Sequence, residues 1–389
     1  MDDAEALRCV EELWEEHCRA LRESEERRTE VEERRMSWGG VSMKYGMEVI
    51  GEPGPEGYPV YIALHGGGGA PTPDMNDQQW QDMETYYKKG VKNGIYINPR
   101  GVRDTWDTHA NPESYPLYDR LIENLIVFCK ADPNRIYLLG FSAGGDGVYL
   151  IGPRMADRFA ALHMSAGHPN GGSLVNLYNT PIQLQVGMDD TAFDRNRVTV
   201  QYQMYLDSLQ QENPDGYLHN AYVHVDKPHN FRDNSAECQQ VMIDNKAWLH
   251  TGIVTRRMVD SNAVRFLEGF VRQPLPRRVI WEMNNRHEAR MRRTDSFYWL
   301  KASRDVQGGT VIAHLNPEEN GIVVEKNDTG CQVTALLRDG MLDLDRPIAV
   351  IYPDGHRTEH TVVRSRETAE ETLRERGDRN YIFTASVTL

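Results

Sequence analysis

The sequence has little that could staple or anchor a chain. Its five cysteines (Cys9, Cys18, Cys129, Cys238 and Cys331) are odd in number and scattered over 389 residues, and no C-x-x-C occurs. That spacing argues against a zinc ribbon and a thioredoxin-type redox site. No run approaches the roughly 18 apolar residues that a membrane-spanning helix needs. The opening segment, Met1 to Cys18, is acidic and has no apolar stretch resembling a secretory leader. Positive charge is also in deficit, with 44 Lys and Arg against 58 Asp and Glu and a formal net charge of −14. A binder of phosphate backbones or anionic lipid wants a basic face, so neither nucleic acid nor a membrane is expected as partner. H-E-x-x-H is missing, and no His/Asp cluster has metal-ligand spacing, so no metal and no cofactor are expected. These absences lead to the expectation of a soluble protein of the reducing cytoplasm.

What is present is ordinary globular material, 39% hydrophobic and 26% charged, in a chain long enough for two domains. Residues 1–37 read as a charged N-terminal segment. Within it, residues 4 to 35 read as one helix, with Leu7, Val10, Leu13, Cys18 and Leu21 on a single apolar stripe. Such an extension suits docking, and a homo-oligomer paired through this helix is one expectation. Residues 38–273 alternate short apolar strands with helices. The strands are Val60 to Leu64, Gly94 to Asn98, Ile136 to Leu139, Ala160 to Met164, Ile182 to Val186 and a last one, Tyr222 to Val225. Helices are expected at Leu117 to Lys130 and from about Arg197 to Gln210. This pattern predicts an α/β fold, a doubly wound and mostly parallel sheet whose ligands bind beyond the carboxyl ends of the strands. After the stiff Pro274-Leu275-Pro276 connector, residues 277–389 read as a β-rich accessory domain. Many short strands, among them Phe297 to Leu300 and Tyr381 to Phe383, suggest a sandwich, interrupted by a helix at Thr368 to Arg376.

The sharpest local signal is Gly140-Phe141-Ser142-Ala143-Gly144, a G-x-S-x-G directly after the Ile136 strand. A serine between a strand and a helix sits on a tight, strained turn, and the flanking glycines avoid a β-carbon clash there. Ser142 is the expected nucleophile. Upstream, Leu64-His65-Gly66-Gly67-Gly68-Gly69 closes another strand. Consecutive glycines let backbone N–H groups converge on a developing oxyanion. The expected donors are the amides of Gly67 (or Gly66) and Ala143. A phosphate-cradling loop is disfavoured, because G-x-x-x-x-G-K-[ST] is missing. His65 suits a loop-orienting role better than that of a base.

A nucleophilic serine needs a base, and the base needs an orienter. In strand–helix architectures of this kind the acid follows the serine and the histidine comes last. Gly187-Met188-Asp189-Asp190 closes the Ile182 strand, with Asp190 the first choice as acid, Asp189 the second and Asp194 the third. His229, in Asp226-Lys227-Pro228-His229-Asn230-Phe231 after the last strand, stands where the base belongs; His224 and His219 suit structural roles. Candidate pocket walls are Trp106, Asp107 and His109 in one polar loop and His168 in Ala166-Gly167-His168-Pro169-Asn170.

These residues, with Asp132-Pro133-Asn134-Arg135 before the serine, resemble the α/β-hydrolase superfamily over about residues 41 to 272. Within it the sequence is most similar to the polyhydroxybutyrate-depolymerase and feruloyl-esterase-like branch, and prolyl-oligopeptidase-type catalytic domains are relatives. The resemblance implies Ser142 as nucleophile, Asp190 as acid and His229 as base. Asn230 stands where glycine more usually follows the histidine. The expected activity is a serine esterase acting on a small-molecule ester through an acyl-enzyme. A peptidase on short peptides is the alternative, and a non-catalytic binding protein on the same fold comes third.

Overall fold

The computed structural model describes residues 1–69, 72–231, 238–283, 295–302 and 308–389. They group into two compact units, residues 29–272 in one and residues 1–28 with 273–389 in the other.

Helix α1 (Asp3–Glu23) starts with a capping box. Asp2 accepts from the Glu5 amide at 2.7 Å, and Glu5 reaches back to the Asp2 amide at 2.9 Å. Ser24 then turns extended (φ −67°, ψ 118°) and its hydroxyl accepts from the Arg27 amide, starting α2 (Glu25–Glu32). The single helix expected over 4–35 is therefore two, because a serine in mid-run competes for backbone donors. Of the expected stripe, Val10 and Leu13 are buried, together with Cys9, against Ala369, Leu373 and Ile382 of the same unit, while Leu7 is exposed.

In the larger unit the elements run β1 (Arg35–Trp38), β2 (Val41–Ile50), β3 (Tyr58–Leu64), α3 (Pro73–Tyr86), β4 (Gly94–Pro99), α4 (Ser114–Cys129), β5 (Ala131–Phe141) and α5 (Ala143–Arg154). They continue as β6 (Ala161–Ser165), β7 (Ile182–Gly187), α6 (Arg195–Glu212), β8 (His219–His224), β9 (Gln239–Met242), α7 (Asn245–Thr251), β10 (Arg256–Val259) and α8 (Ala263–Glu268). One ten-stranded sheet orders them β1-β2-β4-β3-β5-β6-β7-β8-β9-β10. From β4 through β3 to β8 every pairing is parallel. The flanking pairs β1–β2, β2–β4, β8–β9 and β9–β10 are antiparallel. The central strands are buried on both faces, so they read as continuous apolar runs. The four outer strands give no clear pattern: β2 is half-exposed and β10 mostly exposed, and they mix Lys, Arg and Glu with apolar residues.

The smaller unit adds β11 (Arg278–Glu282), β12 (Ser296–Phe297), β13 (Leu300–Ala302), β14 (Thr310–Asn316), β15 (Gly321–Asn327), β16 (Val333–Leu337), β17 (Ile348–Ile351), β18 (Arg357–His360), α9 (Arg366–Arg376) and β19 (Ala385–Thr388). They form a five-stranded sheet, β11-β14-β15-β17-β18, and a four-stranded one, β12-β13-β16-β19. Two strand expectations fail here. Phe297 to Leu300 is a hairpin turn, with Tyr298 at φ 52° between paired β12 and β13. Tyr381 to Phe383 is fully buried but begins as a helical turn, so its apolar run reports burial and not extended pairing. Among the described residues no helix is long and apolar enough to cross a membrane.

Candidate active site

Ser142 lies between β5 and α5 with φ 57° and ψ −121°, a backbone region that non-glycine residues rarely occupy. Its amide donates to Ser165 O at 2.9 Å, and its carbonyl accepts from the Asp146 amide at 3.0 Å. The neighbouring glycines have a steric cause. A β-carbon on Gly140 would stand 2.2 Å from Gly144 O, and one on Gly144 would stand 2.0 Å from Leu64 O. Strand β3 and the first turn of α5 thus pass closer than any side chain allows, and the serine is pushed out beyond the strand end.

His229 reaches this serine from the loop after β8. Its Nε2 is 3.0 Å from Ser142 Oγ and its Nδ1 is 2.7 Å from Asp190 Oδ2. The carboxylate accepts only, so Nδ1 carries the proton and Nε2 faces the hydroxyl as an acceptor. Gly187, ending β7, makes the approach possible, since a β-carbon there would meet Pro228 O at 2.3 Å. Asp190 is 1% exposed at its side chain against 38% for His229, which leaves the imidazole open towards a ligand and the acid shielded. Arg195 Nη1 stands 3.9 Å from the second oxygen of Asp190. The other two candidate acids do not reach the histidine. Asp189 is exposed, and Asp194 is exposed at the start of α6.

The glycine loop after β3 packs on the same serine. An ideal β-carbon on Gly66 would be 3.3 Å from Ser142 Cβ, and one on Gly68 would be 3.1 Å from Ala143 Cβ. Gly67 and Gly68 have φ of +103° and +76°. Ala143 is the first residue of α5, so its N–H has no partner inside the helix. Gly66 and Gly68 thus pack against Ser142 and Ala143, and Gly67 against Asn76 and Gln79. Trp106 has its backbone against Gly68 and Gly69 and is 55% exposed as a residue. His168 is half-buried, its amide bonded to Asp146 Oδ1 in the first turn of α5. Burial raises the pKa of that Asp146 carboxyl.

His109 departs from the pocket-wall expectation. It is buried behind the glycine loop, its Nε2 2.8 Å from His65 O and its ring edge-on to that of His65. Asn76 of α3 was not anticipated at all. It too is buried there, and Nδ2 donates to Gly68 O and to Asp104 Oδ1. No sequence signal marks it, since Pro73-Asp74-Met75-Asn76-Asp77 reads as an ordinary helix start.

Four histidines of this unit are buried and held neutral. Burial lowers His65 to about 4, His163 and His224 to about 3, and His109 well below its ordinary value. His163 bonds Gln183 and Ser165, and His224 bonds Gln185. An unfolded chain takes up protons near pH 6.5 that the folded one refuses until much lower, so stability falls as pH drops through that window. Each histidine contributes a slope of up to about 1.4 kcal/mol per pH unit. The thermal midpoint should be level above pH 7 and fall steeply between pH 6 and 4; a level midpoint down to pH 4 would refute the buried neutral histidines.

Strand order, a serine on a strained strand–helix turn, and an acid then a histidine after later strands make up the α/β-hydrolase fold. No protein-family model and no curated protein matches the sequence. Among solved structures, the chain is similar to a thermostable esterase, at 20% identity over 61% of this chain and 62% of that one, with a TM-score of 0.41. It is also similar to a poly(3-hydroxybutyrate) depolymerase from Bordetella parapertussis, at 15% identity over 59% and 88% of the two chains and a TM-score of 0.40. A third is an acylaminoacyl peptidase from Pyrococcus horikoshii, at 13% identity over 52% and 38% and a TM-score of 0.36. The chain thus spans less than two thirds of the thermostable esterase. The fold assignment rests on topology and geometry.

Proposed function

We propose that the protein is a serine esterase. The observation that carries this reading is the single imidazole of His229 bridging Asp190 Oδ2 at 2.7 Å and Ser142 Oγ at 3.0 Å. Ser142 Oγ attacks the carbonyl carbon of an ester while its proton passes to His229 Nε2. The amides of Ala143 and Gly67, or Gly66, take the charge on the carbonyl oxygen. The tetrahedral intermediate collapses, the alkoxide leaves with the proton from His229, and an acyl-enzyme remains. Water then attacks that acyl group, giving its proton to the same nitrogen, and the carboxylic acid departs as Ser142 is restored. Asp190 keeps the histidine proton on Nδ1 throughout and balances the imidazolium that forms.

The test is hydrolysis of p-nitrophenyl esters from acetate to octanoate, together with labelling by a fluorophosphonate. Turnover with label on Ser142 supports the reading, and the chain-length profile sizes the acyl pocket. Inertness towards every ester with turnover of peptide p-nitroanilides would move the bond cleaved to a peptide. Asp190→Asn should fold normally and lower kcat by about 10³- to 10⁴-fold, because the amide favours the wrong tautomer of His229. A loss below tenfold would remove Asp190 from this role.

A further inference from the structure

Behind the glycine loop, three buried side chains hold backbone carbonyls of residues 65, 66 and 68. His109 Nε2 is 2.8 Å from His65 O, His65 Nδ1 is 2.6 Å from Gly66 O, and Asn76 Nδ2 is 2.8 Å from Gly68 O. Carbonyls only accept, so each side-chain nitrogen is the donor. The assignment is over-determined. His65 Nε2 accepts from the Gly101 amide at 3.0 Å, which leaves its proton on Nδ1. Asn76 Nδ2 also donates to Asp104 Oδ1 at 2.7 Å, so the amide nitrogen and not its oxygen must face these two acceptors. All three side chains are within 1% of full burial. Burial also keeps the two imidazoles neutral, so neither loses its acceptor or gains a second proton near neutrality.

A trans peptide is planar, and its C=O and N–H point in opposite directions. Tying down a carbonyl therefore aims the N–H of the next residue away from the tie. His109 fixes the Gly66 amide in this way, His65 fixes the Gly67 amide, and Asn76 fixes the Gly69 amide. The loop is glycine, with Gly67 and Gly68 at positive φ, so it has little stiffness of its own. Asn76 stands so close behind Gly67 that a β-carbon there would be 2.2 Å from Asn76 Oδ1.

We propose that His109, His65 and Asn76 are positioning residues that hold the Gly66–Gly69 loop, and with it the oxyanion-binding amides of Gly66 and Gly67, in register with Ser142 before substrate arrives. This rests on the esterase reading and adds to it the source of the loop's preorganisation. None of the three touches substrate. Their effect runs through peptide planes, and it appears in the transition state, where charge develops on the carbonyl oxygen, more than in substrate binding.

The experiment compares wild type, Ser142→Ala, His109→Leu, His109→Gln and Asn76→Ala. Readouts are kcat and KM on one p-nitrophenyl ester, the inhibition constant of a trifluoromethyl ketone, and folded concentration by circular dichroism. His109→Leu should lower kcat by about 10- to 100-fold, less than the about 10²- to 10³-fold loss when a whole oxyanion donor is removed, with KM within about twofold. The ketone, which binds as a tetrahedral oxyanion, should weaken in proportion to kcat/KM. His109→Gln keeps a donor near the Nε2 position and should recover most of both. Should His109→Leu fail to fold, Asn76→Ala is read by the same criteria. A His109→Leu or Asn76→Ala protein that is folded and retains wild-type kcat and ketone affinity overturns the proposal while Ser142→Ala still tests the esterase reading. If wild type and Ser142→Ala are equally inert, the esterase reading fails and this proposal falls with it.

Discussion

Ser142→Ala is expected to lower kcat/KM on any ester the protein cleaves by about a thousandfold or more, with its thermal midpoint unchanged or raised. The midpoint should not fall because the Ser142 backbone, not Oγ, bonds Ser165 and Asp146, while Oγ bonds the catalytic His229. On the esterase reading, the residual rate should come from the proposed Gly67 and Ala143 oxyanion donors. Serine and histidine act as a unit, so Ser142→Ala combined with His229→Ala should be scarcely slower than the single variant. Steady-state kinetics on the nitrophenyl ester preferred by the wild type measure both. A single variant within tenfold of wild type would remove Ser142 as the nucleophile, and a double variant slower by a second thousandfold would show that the two residues act separately.

Gly144→Ala is expected to abolish folding or to cost more than about 4 kcal/mol, beyond the range of ordinary substitutions. The added methyl would stand 2.0 Å from Leu64 O, 2.5 Å from Leu64 C and 2.9 Å from His65 O. All three are backbone atoms at the end of β3, a buried strand paired on both sides with β4 and β5. No side chain can rotate to relieve the contact, so either β3 or α5 must move. Gly140→Ala meets a similar obstacle at Gly144 O, 2.2 Å away. Soluble yield and the denaturation midpoint report the outcome. Recovery of Gly144→Ala with a wild-type midpoint would mean that the elbow is looser than this close approach requires. By contrast, Gly171 has open space around its missing β-carbon, and Gly171→Ala should cost only what its φ of +76° imposes.

Much of the larger unit was legible because its signals are local. A strand buried on both faces has to be apolar along its length, and the runs Val60 to Leu64, Ile136 to Leu139 and Ile182 to Val186 meet that condition without help from neighbours. G-x-S-x-G and the run of glycines after His65 are local for a different reason. Each encodes a close backbone approach that only glycine permits, so residue type alone carries the information. Chain order, with an acid after one strand and a histidine after the next, then narrowed the partners of Ser142 to a few residues.

Other features depended on atoms far away in the chain. Asp189 and Asp190 are adjacent and chemically identical, and the choice between them turns on which carboxylate is buried within 2.7 Å of a histidine 39 residues later. Strands β1, β2, β9 and β10 are extended by pairing with neighbours, while their own sequences are mixed. His109 and Asn76 lie 44 and 8 residues from the carbonyls they hold, in a polar loop and a plain helix start. Tyr381 to Phe383 show the reverse error, where burial alone made a strand-like run. Local pattern is enough wherever a backbone conformation or a doubly buried strand admits few residue types. Side-chain pairings across the fold are settled by packing, because in the unfolded chain nothing distinguishes one aspartate or histidine from the next.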